Sequence, residues 1–274
     1  MTRDVPFVKM HGLGNDYVYL DARELRAAGI QIDDSARWSQ RLADRHRGVG
    51  GDGLIVVHED TTAPVRMEMY NADGSRAEMC GNGIRCVARL AWERGYAAST
   101  RFSIATDSGL RAVEVSDRGR TVAVDMGAAT MDDVCTLTAA DREFTGTPVL
   151  LGNPHFVIEL PHPPAEFAVE QYGPLLERHD RFPNRANIEF VFVAAPDQIL
   201  FRVWERGSGE TQACGTGATA AAAALHHHGR TDTRANVALL GGDLVIEIKE
   251  GTTWMTGPAE TVFAGHFPTS LTAP

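Results

Sequence analysis

Short runs of alternating apolar and polar residues fill the first half of the chain, and they predict a strand-rich fold with few helices. One helix is predicted at 34–45, where Asp33 or Asp34 can cap it and Trp38 and Leu42 lie one turn apart. Another begins after Cys80 and ends near residue 94, just before a glycine. Strands are predicted at 6–10, 17–20, 54–57, 65–70, 101–106, 110–115 and 121–125.

The second half repeats this order of elements. Helices are predicted at 166–177 and from Cys214 to about residue 228, again just before a glycine. The pair Gly152-Asn153 stands before a strand, as Gly14-Asn15 does in the first half. A last strand at 260–263 is expected to return to the first domain. The other strands are predicted at 149–151, 188–193, 200–204, 237–240, 244–249 and 253–256.

The repeat predicts a tandem duplication of the α/β (α+β) class, with two pseudo-symmetric domains and an active site in the cleft between them. We place the first domain at 1–125 with about 263–274, and the second at 126–262. The clearest sign of duplication is a cysteine–glycine pair at a helix start, first as MCGNG around Cys80 and then as ACGTG around Cys214. The loops before them carry Asn71 and Glu205 at the same offset in sequence.

Composition and charge limit the functions to consider. With 274 residues, 43% of them hydrophobic, the chain can bury a large core. Its formal net charge of −10 disfavours nucleic acid as a partner, because binding phosphates needs clustered Lys and Arg. No apolar run approaches the roughly 18 residues of a membrane span, and the first residues do not resemble a secretory signal. We therefore expect a cytoplasmic protein with no membrane partner.

The four cysteines are too few and too scattered for a disulfide framework, and their spacing does not match a zinc site. A single cysteine is most often a small buried hydrophobic residue, and we interpret Cys86 and Cys135 in that way. The duplicated glycine context separates Cys80 and Cys214 from them. We predict that the thiols of these two cysteines take part in the chemistry of the site.

A cysteine at a helix N-terminus lies near the positive end of the helix dipole, where a thiol pKa can fall to roughly 3.5–7.5. The glycines beside it let a ligand approach backbone N–H groups that can bind an anion. A carboxylate held there would place its α-carbon beside the sulfur. Two such sulfurs could move a proton from one face of that carbon to the other, one as thiolate and one as thiol.

Other motifs fit less well. The segment 48–53 matches a dinucleotide-binding glycine pattern, but it follows a helix and precedes a strand, the reverse of the required order. The segment 215–220 opens a helix but lacks the acidic residue expected about 20 residues later. Histidines at 226–228 cannot converge on one metal ion, and neither Lys9 nor Lys249 has the context of a pyridoxal-phosphate site. We expect no metal and no cofactor.

The motifs around the two cysteines closely resemble diaminopimelate epimerase. They are the segments 71–86, from NADGS to MCGNGIRC, and 205–217, ERGSGETQACGTG. The segments 9–16, 45–50, 152–155 and 255–259 are also similar to that family, so the resemblance spans nearly the whole chain in order.

This resemblance implies an isomerase that interconverts LL- and meso-2,6-diaminopimelate without pyridoxal phosphate, in lysine and peptidoglycan-precursor synthesis. It also implies that each domain is a β-barrel-like sheet around a central helix. Cys80 and Cys214 would be the catalytic acid/base pair, assisted by His155 and Glu205. The substrate-binding positions would be Asn15, Asn71, Gly81, Asn82, Asn153, Asn187, Glu205, Arg206, Gly215 and Thr216.

In this pattern, backbone N–H groups of residues 81–82 and 215–216 would hold the reacting carboxylate. Arg206, with the asparagines, would bind the other end of the substrate, since its guanidinium can pair bidentately with a carboxylate. The chain departs from the family at Gly53, where some members carry glutamine, so a side-chain contact there is absent or supplied otherwise.

Two alternatives stay open at this stage. One is a two-cysteine racemase for proline or hydroxyproline, and the other is a non-catalytic module that binds small anions at the same helix starts. Asn82 and the loop at Glu205-Arg206 favour a substrate with a second charged end over proline. The sequence also allows a homodimer.

Overall fold

The computed structural model describes residues 3–273. The chain divides into two compact units, one of Met1–Val124 with Pro258–Pro274 and the other of Asp125–Gly257. From the sequence we expect the chain to leave the first domain after residue 125 and to return to it at about residue 263. In the structure the chain leaves the first unit after Val124 and returns to it at Pro258.

Most elements of the fold are strands, and both strands and helices are numbered in chain order. The strands are β1 (Asp4–Gly12), β2 (Asn15–Asp21), β3 (Gly53–His58), β4 (Val65–Asn71), β5 (Arg76–Ala77), β6 (Arg101–Thr106), β7 (Gly109–Ser116), β8 (Thr121–Gly127), β9 (Thr130–Met131), β10 (Cys135–Ala139), β11 (Arg142–Leu151), β12 (Asn153–Glu159), β13 (Asn187–Ala195), β14 (Gln198–Glu205), β15 (Gly209–Glu210), β16 (Arg234–Leu239), β17 (Gly242–Lys249), β18 (Thr252–Pro258) and β19 (Glu260–Pro268). The helices are α1 (Ala22–Ala27), α2 (Ser35–Ala43), α3 (Gly81–Glu93), α4 (Val169–Glu177) and α5 (Gly215–His227).

The first unit is built on one mixed sheet in the order β19, β1, β2, β3, β4, β6, β7 and β8. The pairs β2–β3 and β4–β6 are parallel, and the others are antiparallel. The last of the predicted strands is longer than expected and pairs with β1 along its whole length.

Helix α3 is the centre of the first unit. It contacts β1, β2, β4 and β7, and nearly all its side chains are buried. Because side chains alternate between the two faces of a strand, Tyr17 and Ile55 lie on the face toward this helix while Val18 and Leu54 lie on the other. That other face forms a second core with α1 and α2, in which Trp38 and Leu42 are buried as the helical spacing predicts.

The second unit repeats the strand order of the first. Its sheet runs β11, β12, β13, β14, β16, β17, β18, with β12–β13 and β14–β16 parallel. Helix α4 packs on one face of this sheet over an aromatic core that includes Phe144, Phe156 and Phe190. Each parallel pair thus recurs at the corresponding place, which is the structural form of the duplication.

Helix α5 contacts strands across the sheet of the second unit, and its core side chains are mostly alanine. Ala220, Ala221 and Ala223 are buried, and small side chains allow the backbone of a helix to lie close to surrounding strands. Gly229, with φ of 67°, ends this helix, and Gly95, with φ of 70°, ends α3. Both helix stops are therefore where the glycines predict them.

Three local predictions from the sequence are wrong or incomplete. Helix α4 begins at Val169 because a separate 3-10 turn at Pro164–Glu166 precedes it. The six-residue helix α1, capped by Asp21, was not predicted. The hairpin of β10 and β11 was also missed for most of its length, because its turn places Ala140, with φ of 53°, where glycine is usual.

Within residues 3–273, every helix is too short or too polar to cross a membrane.

Candidate functional site

Cys80 immediately precedes the first turn of α3, and its side chain caps that helix. The backbone there is extended, and Sγ accepts a hydrogen bond from the Gly83 N–H at 3.4 Å. A Cβ at position 83 would lie only 2.7 Å from Ile55 Cδ1, so a larger residue here would require the buried Ile55 side chain to shift. The sequence thereby places the sulfur at the positive end of the helix dipole, as predicted.

Asn15 joins the start of β2 to the start of α3. Its Nδ2 donates to Asp52 Oδ2 at 2.7 Å, so its Oδ1 faces the helix. There Oδ1 accepts from Cys80 Sγ and from Asn82 Nδ2, both at 3.4 Å. Three of the predicted site residues, Asn15, Cys80 and Asn82, are therefore in contact.

The loop that contains Asn15 is held by charged residues that were not among the predicted site residues. Asp52 also accepts from Arg45 at 2.9 Å, and Arg45 donates to Asp16 at 2.6 Å. Asp16 in turn pairs with the buried Lys9 at 2.6 Å. Burial opposes ionisation of Asp16, but hydrogen bonds from Arg45 and then Lys9 outweigh it and lower the pKa of Asp16. These pairs fix the direction in which the Asn15 amide points.

Asn71 and Gly53 lie opposite each other on neighbouring strands. Asn71 Nδ2 donates to Ser75 Oγ at 2.9 Å, within the turn between β4 and β5. A Cβ at position 53 would lie 2.0 Å from the Tyr70 carbonyl oxygen, so this backbone leaves no room for a side chain. The glutamine contact of some family members is therefore absent from this position.

Cys214 caps α5 in the same way as Cys80 caps α3. Its Sγ accepts from the Gly217 N–H at 3.4 Å, and Thr216 Oγ1 lies 3.5 Å from the sulfur. Gly215 is the first residue of the helix and is buried. Two predicted binding residues thus lie directly beside the second thiol.

A position at a helix start does not lower the pKa of Cys214. Burial, followed by the Glu205 and Glu189 carboxylates, raises the pKa of Cys214 well above 9.0, and the Gly217 N–H opposes this only weakly. Glu205 accepts a hydrogen bond from Thr211, and burial raises the pKa of Glu205 as well. The acids near α5 therefore favour a protonated thiol.

His155 and Glu189 form a buried pair under α5. His155 Nδ1 lies 2.6 Å from Glu189 Oε1, and both side chains are fully buried. His155 Nε2 lies 3.0 Å from Asn153 Oδ1, which links the predicted assisting histidine to a predicted binding residue. Glu189 was not among the predicted site residues, although a lone glutamate inside the apolar strand β13 is a signal of a buried functional acid.

Asn187 and Arg206 are predicted binding residues of the second unit. The Arg206 backbone N–H donates to Asn187 Oδ1 at 2.8 Å, so Asn187 holds the start of the loop after β14. The Arg206 side chain is exposed, and its guanidinium donates to the Asn184 carbonyl at 3.2 Å. The cation is thus available at the surface of the second unit.

The two cysteine sites share a backbone but differ in charge. At the sequence offset that relates Cys80 to Cys214, Ile55 corresponds to Glu189 and Asn71 corresponds to Glu205. A Cβ at Gly217 would meet Glu189 Oε1 at 2.8 Å, just as one at Gly83 would meet Ile55. The first site is neutral at these places and the second is acidic.

The other two cysteines lie away from helix starts. Cys86 is fully buried within α3, and burial raises the pKa of Cys86 to about 11. Cys135 opens β10 and is partly buried. Among residues 3–273, His, Cys, Asp and Glu side chains do not gather in threes as ligands for one metal ion.

Comparison with known families adds to this geometry. The family model described as "Diaminopimelate epimerase" matches residues 7–132 and 147–262, ranges that contain every predicted site residue. The chain belongs to the diaminopimelate epimerase family. It is 42% identical to a diaminopimelate epimerase of Agathobacter rectalis, over 95% of this chain and 98% of that protein. It is 41% identical to one of Methanococcus maripaludis, with the same coverage.

Solved structures show the fold of the family more widely. A PhzF-family phenazine biosynthesis protein of Bacillus anthracis matches with a TM-score of 0.73 at 14% identity, over 97% of this chain and 99% of that one. A probable proline racemase of Agrobacterium radiobacter matches with a TM-score of 0.71 at 15% identity, over 95% of this chain and 92% of that one. The predicted family and the predicted class of two pseudo-symmetric α+β domains are confirmed.

Proposed function

We propose that this chain interconverts LL- and meso-2,6-diaminopimelate by a two-base mechanism that uses Cys80 and Cys214, without pyridoxal phosphate. Membership of the diaminopimelate epimerase family supports the reaction, which is an isomerisation in lysine and peptidoglycan-precursor synthesis. The observation that carries the mechanism is that each unit caps a buried helix with a cysteine followed by glycine.

The helix starts would bind the carboxylate next to the reacting carbon. The first turn of a helix directs N–H groups outward, and their dipoles stabilise negative charge. As the α-proton leaves, charge spreads from the carbon into this carboxylate, so the same groups stabilise the transition state more than the substrate. Glycine at 81 and at 215 lets the carboxylate approach the backbone.

The proton transfer needs no oxidant or reductant. In one direction the Cys80 thiolate takes the α-proton, so that the C–H bond breaks and an S–H bond forms. The Cys214 thiol then gives its proton to the opposite face of the carbon and becomes the thiolate. The reverse reaction exchanges these two roles, and proton exchange with water restores the starting state.

The electrostatics favour Cys214 as the resting proton donor. Glu205 and Glu189 disfavour its thiolate, whereas the corresponding positions near Cys80 hold Asn71 and Ile55. His155 Nδ1 lies 2.6 Å from Glu189 Oε1 and so holds this carboxyl group in place under α5. In this scheme His155 and Glu205 assist the thiols, as the family resemblance implies.

Binding of the far end of the substrate would distinguish diaminopimelate from proline. We assign this end to Arg206 with Asn15, Asn71, Asn153 and Asn187, because amides and a guanidinium suit a second amino-acid group. The Arg206 backbone is held by Asn187, which supports this assignment. The proline racemase and hydroxyproline epimerase structures share the fold at 15% and 16% sequence identity. Similarity at that level shows a common fold and does not indicate a common substrate.

A substrate panel tests the proposal. Purified protein under reducing conditions is given LL-diaminopimelate, L-proline or trans-4-hydroxy-L-proline, and the isomers are separated by chiral chromatography. We expect conversion of diaminopimelate to the meso isomer only. A preference for either proline substrate would contradict the proposal. Unchanged conversion by both Cys80→Ala and Cys214→Ala would contradict the two-thiol mechanism, and ligand binding without any conversion would leave only the anion-binding alternative.

A cytoplasmic location and a homodimer stay predictions from the sequence.

A further inference from the structure

Tyr17 lies beside the reacting sulfur of the first unit, although neither its position nor its residue type marks it in the sequence. It follows Asn15 by two residues on β2 and is 4% exposed. Its hydroxyl oxygen is 4.0 Å from Cys80 Sγ, within reach of a hydrogen bond to sulfur, and 3.5 Å from Asn15 Nδ2.

The hydrogen bonds around Tyr17 determine the direction of its own proton. Asn15 Nδ2 can donate to the tyrosine oxygen, so that oxygen acts as an acceptor toward the asparagine. Burial, followed by the nearby Cys80 sulfur, raises the pKa of Tyr17 well above 10.0, so the hydroxyl keeps its proton at neutral pH. The proton is then available to the Cys80 sulfur.

The second unit has a histidine at the corresponding place. Tyr17 pairs with Gly53 across the parallel strands β2 and β3, and His155 pairs with Asn187 across β12 and β13. Each residue also follows an asparagine by two positions and contacts that asparagine's amide. The position of the assisting His155 in the second unit therefore corresponds to the position of Tyr17 in the first.

We propose that Tyr17 is a positioning residue that donates a hydrogen bond to the Cys80 thiolate and so stabilises the base form of this cysteine. The proposal rests on the proposed function, in which Cys80 takes and returns the α-proton. When Cys80 is a thiol, its S–H donates to Asn15 Oδ1 instead, at the observed 3.4 Å. Tyr17 keeps its proton in both states, so no proton passes to it.

Other titratable and charged groups lie near Cys80. Tyr19 comes from the same strand, Arg85 and Cys86 come from α3, and Asp52 acts through Asn15. Ile55 and Met67, which lie next to Gly83 under the helix start, are apolar. Tyr17 and the Gly83 N–H are thus hydrogen-bond donors aimed at the sulfur from two different elements.

The test is Tyr17→Phe, with Tyr19→Phe as the matched control. The control removes an equally buried hydroxyl from the same strand, one that donates to the Gly83 carbonyl at 3.4 Å. The rate of Cys80 alkylation by iodoacetamide is measured from about pH 4 to about pH 10, a range that covers most lowered and ordinary thiol pKa values, by mass spectrometry of the Cys80 peptide. This readout needs no substrate, so it separates a failure of this proposal from a failure of the epimerase function.

We expect the alkylation midpoint of Cys80 to rise by about half a unit to one unit in Tyr17→Phe, since a donor to a charged group is lost. The acidic limb of the pH profile of kcat/KM should also move to higher pH in Tyr17→Phe. Tyr19→Phe should change neither the alkylation midpoint nor this limb. An unchanged midpoint in Tyr17→Phe would overturn the proposal, even if activity or thermal stability fell. An equal rise in Tyr19→Phe would also overturn it, because the effect would then be one of general packing.

Discussion

At the scale of single residues, the two cysteines differ more than their sequences indicate. The duplicated glycine pattern is enough to select Cys80 and Cys214, because both cap a helix in the structure. It could not predict that Glu189 joins Glu205 near Cys214, since Glu189 comes from a strand and approaches the helix only after folding. These acids, together with burial, raise the pKa of Cys214 despite its position at a helix start.

Glu205→Gln tests the effect of this acidity on the second thiol. Removing the carboxylate should lower the pKa of Cys214, by roughly one unit, because a negative charge beside a thiol opposes its ionisation. The effect should appear only above the raised pKa of Glu205, where the native carboxyl carries a charge. The measurement is the pH dependence of Cys214 alkylation.

Glu159→Gln is the control for that variant, since Glu159 is a carboxylate of the same unit paired with Arg230 at the surface. It should leave the alkylation of Cys214 unchanged. A Cys214 that reacts no faster in Glu205→Gln would show that burial alone keeps the thiol protonated.

At the scale of elements, the sequence predicted the helices around the cysteines well because their starts and stops carry strong local signals. Glycines after α3 and α5 have positive φ, and the apolar spacing of α2 matches its buried face. The hairpin of β10 and β11 lacks such signals, since its turn uses Ala140 and Asp141. Tertiary packing decides that segment, and sequence patterns do not report packing.

Gly217→Ala tests whether the start of α5 must approach Glu189. The added Cβ would lie 2.8 Å from Glu189 Oε1 and 3.2 Å from Cys214 Sγ, and the buried Glu189–His155 pair leaves little room to move. We expect a loss of about 1–3 kcal/mol in stability and a loss of kcat of at least about tenfold. Thermal unfolding and initial rates measure the two effects.

Gly229→Ala is the matched control at the other end of the same helix. It should also cost stability, because φ of 67° strains alanine, but it leaves the helix start untouched. Full activity in Gly217→Ala would contradict the role of this close approach. An equal loss of kcat in Gly217→Ala and Gly229→Ala would show that the loss results from lower stability and not from the changed helix start.

At the scale of the whole molecule, the duplication is visible in sequence because the order of elements and the cysteine motifs recur together. Each unit forms a sheet around a buried helix, with two parallel strand pairs at corresponding places. The asymmetry between the units is visible in the sequence at Asn71 and Glu205, which share one offset. The approach of Tyr17 and Glu189 to the sulfurs depends on the fold. Each unit provides one thiol, so a two-thiol reaction requires both units.

The most direct test of the two-thiol mechanism is hydrogen–deuterium exchange at the α-carbon of LL-diaminopimelate, followed by NMR in deuterated water. In the native protein we expect deuterium at the α-carbon of the meso product, because the returned proton comes from a second group. Cys80→Ala and Cys214→Ala should each lose conversion by about 10²–10⁴-fold. Retention of the original hydrogen in the product, or conversion at the native rate by either variant, would contradict the two-thiol mechanism.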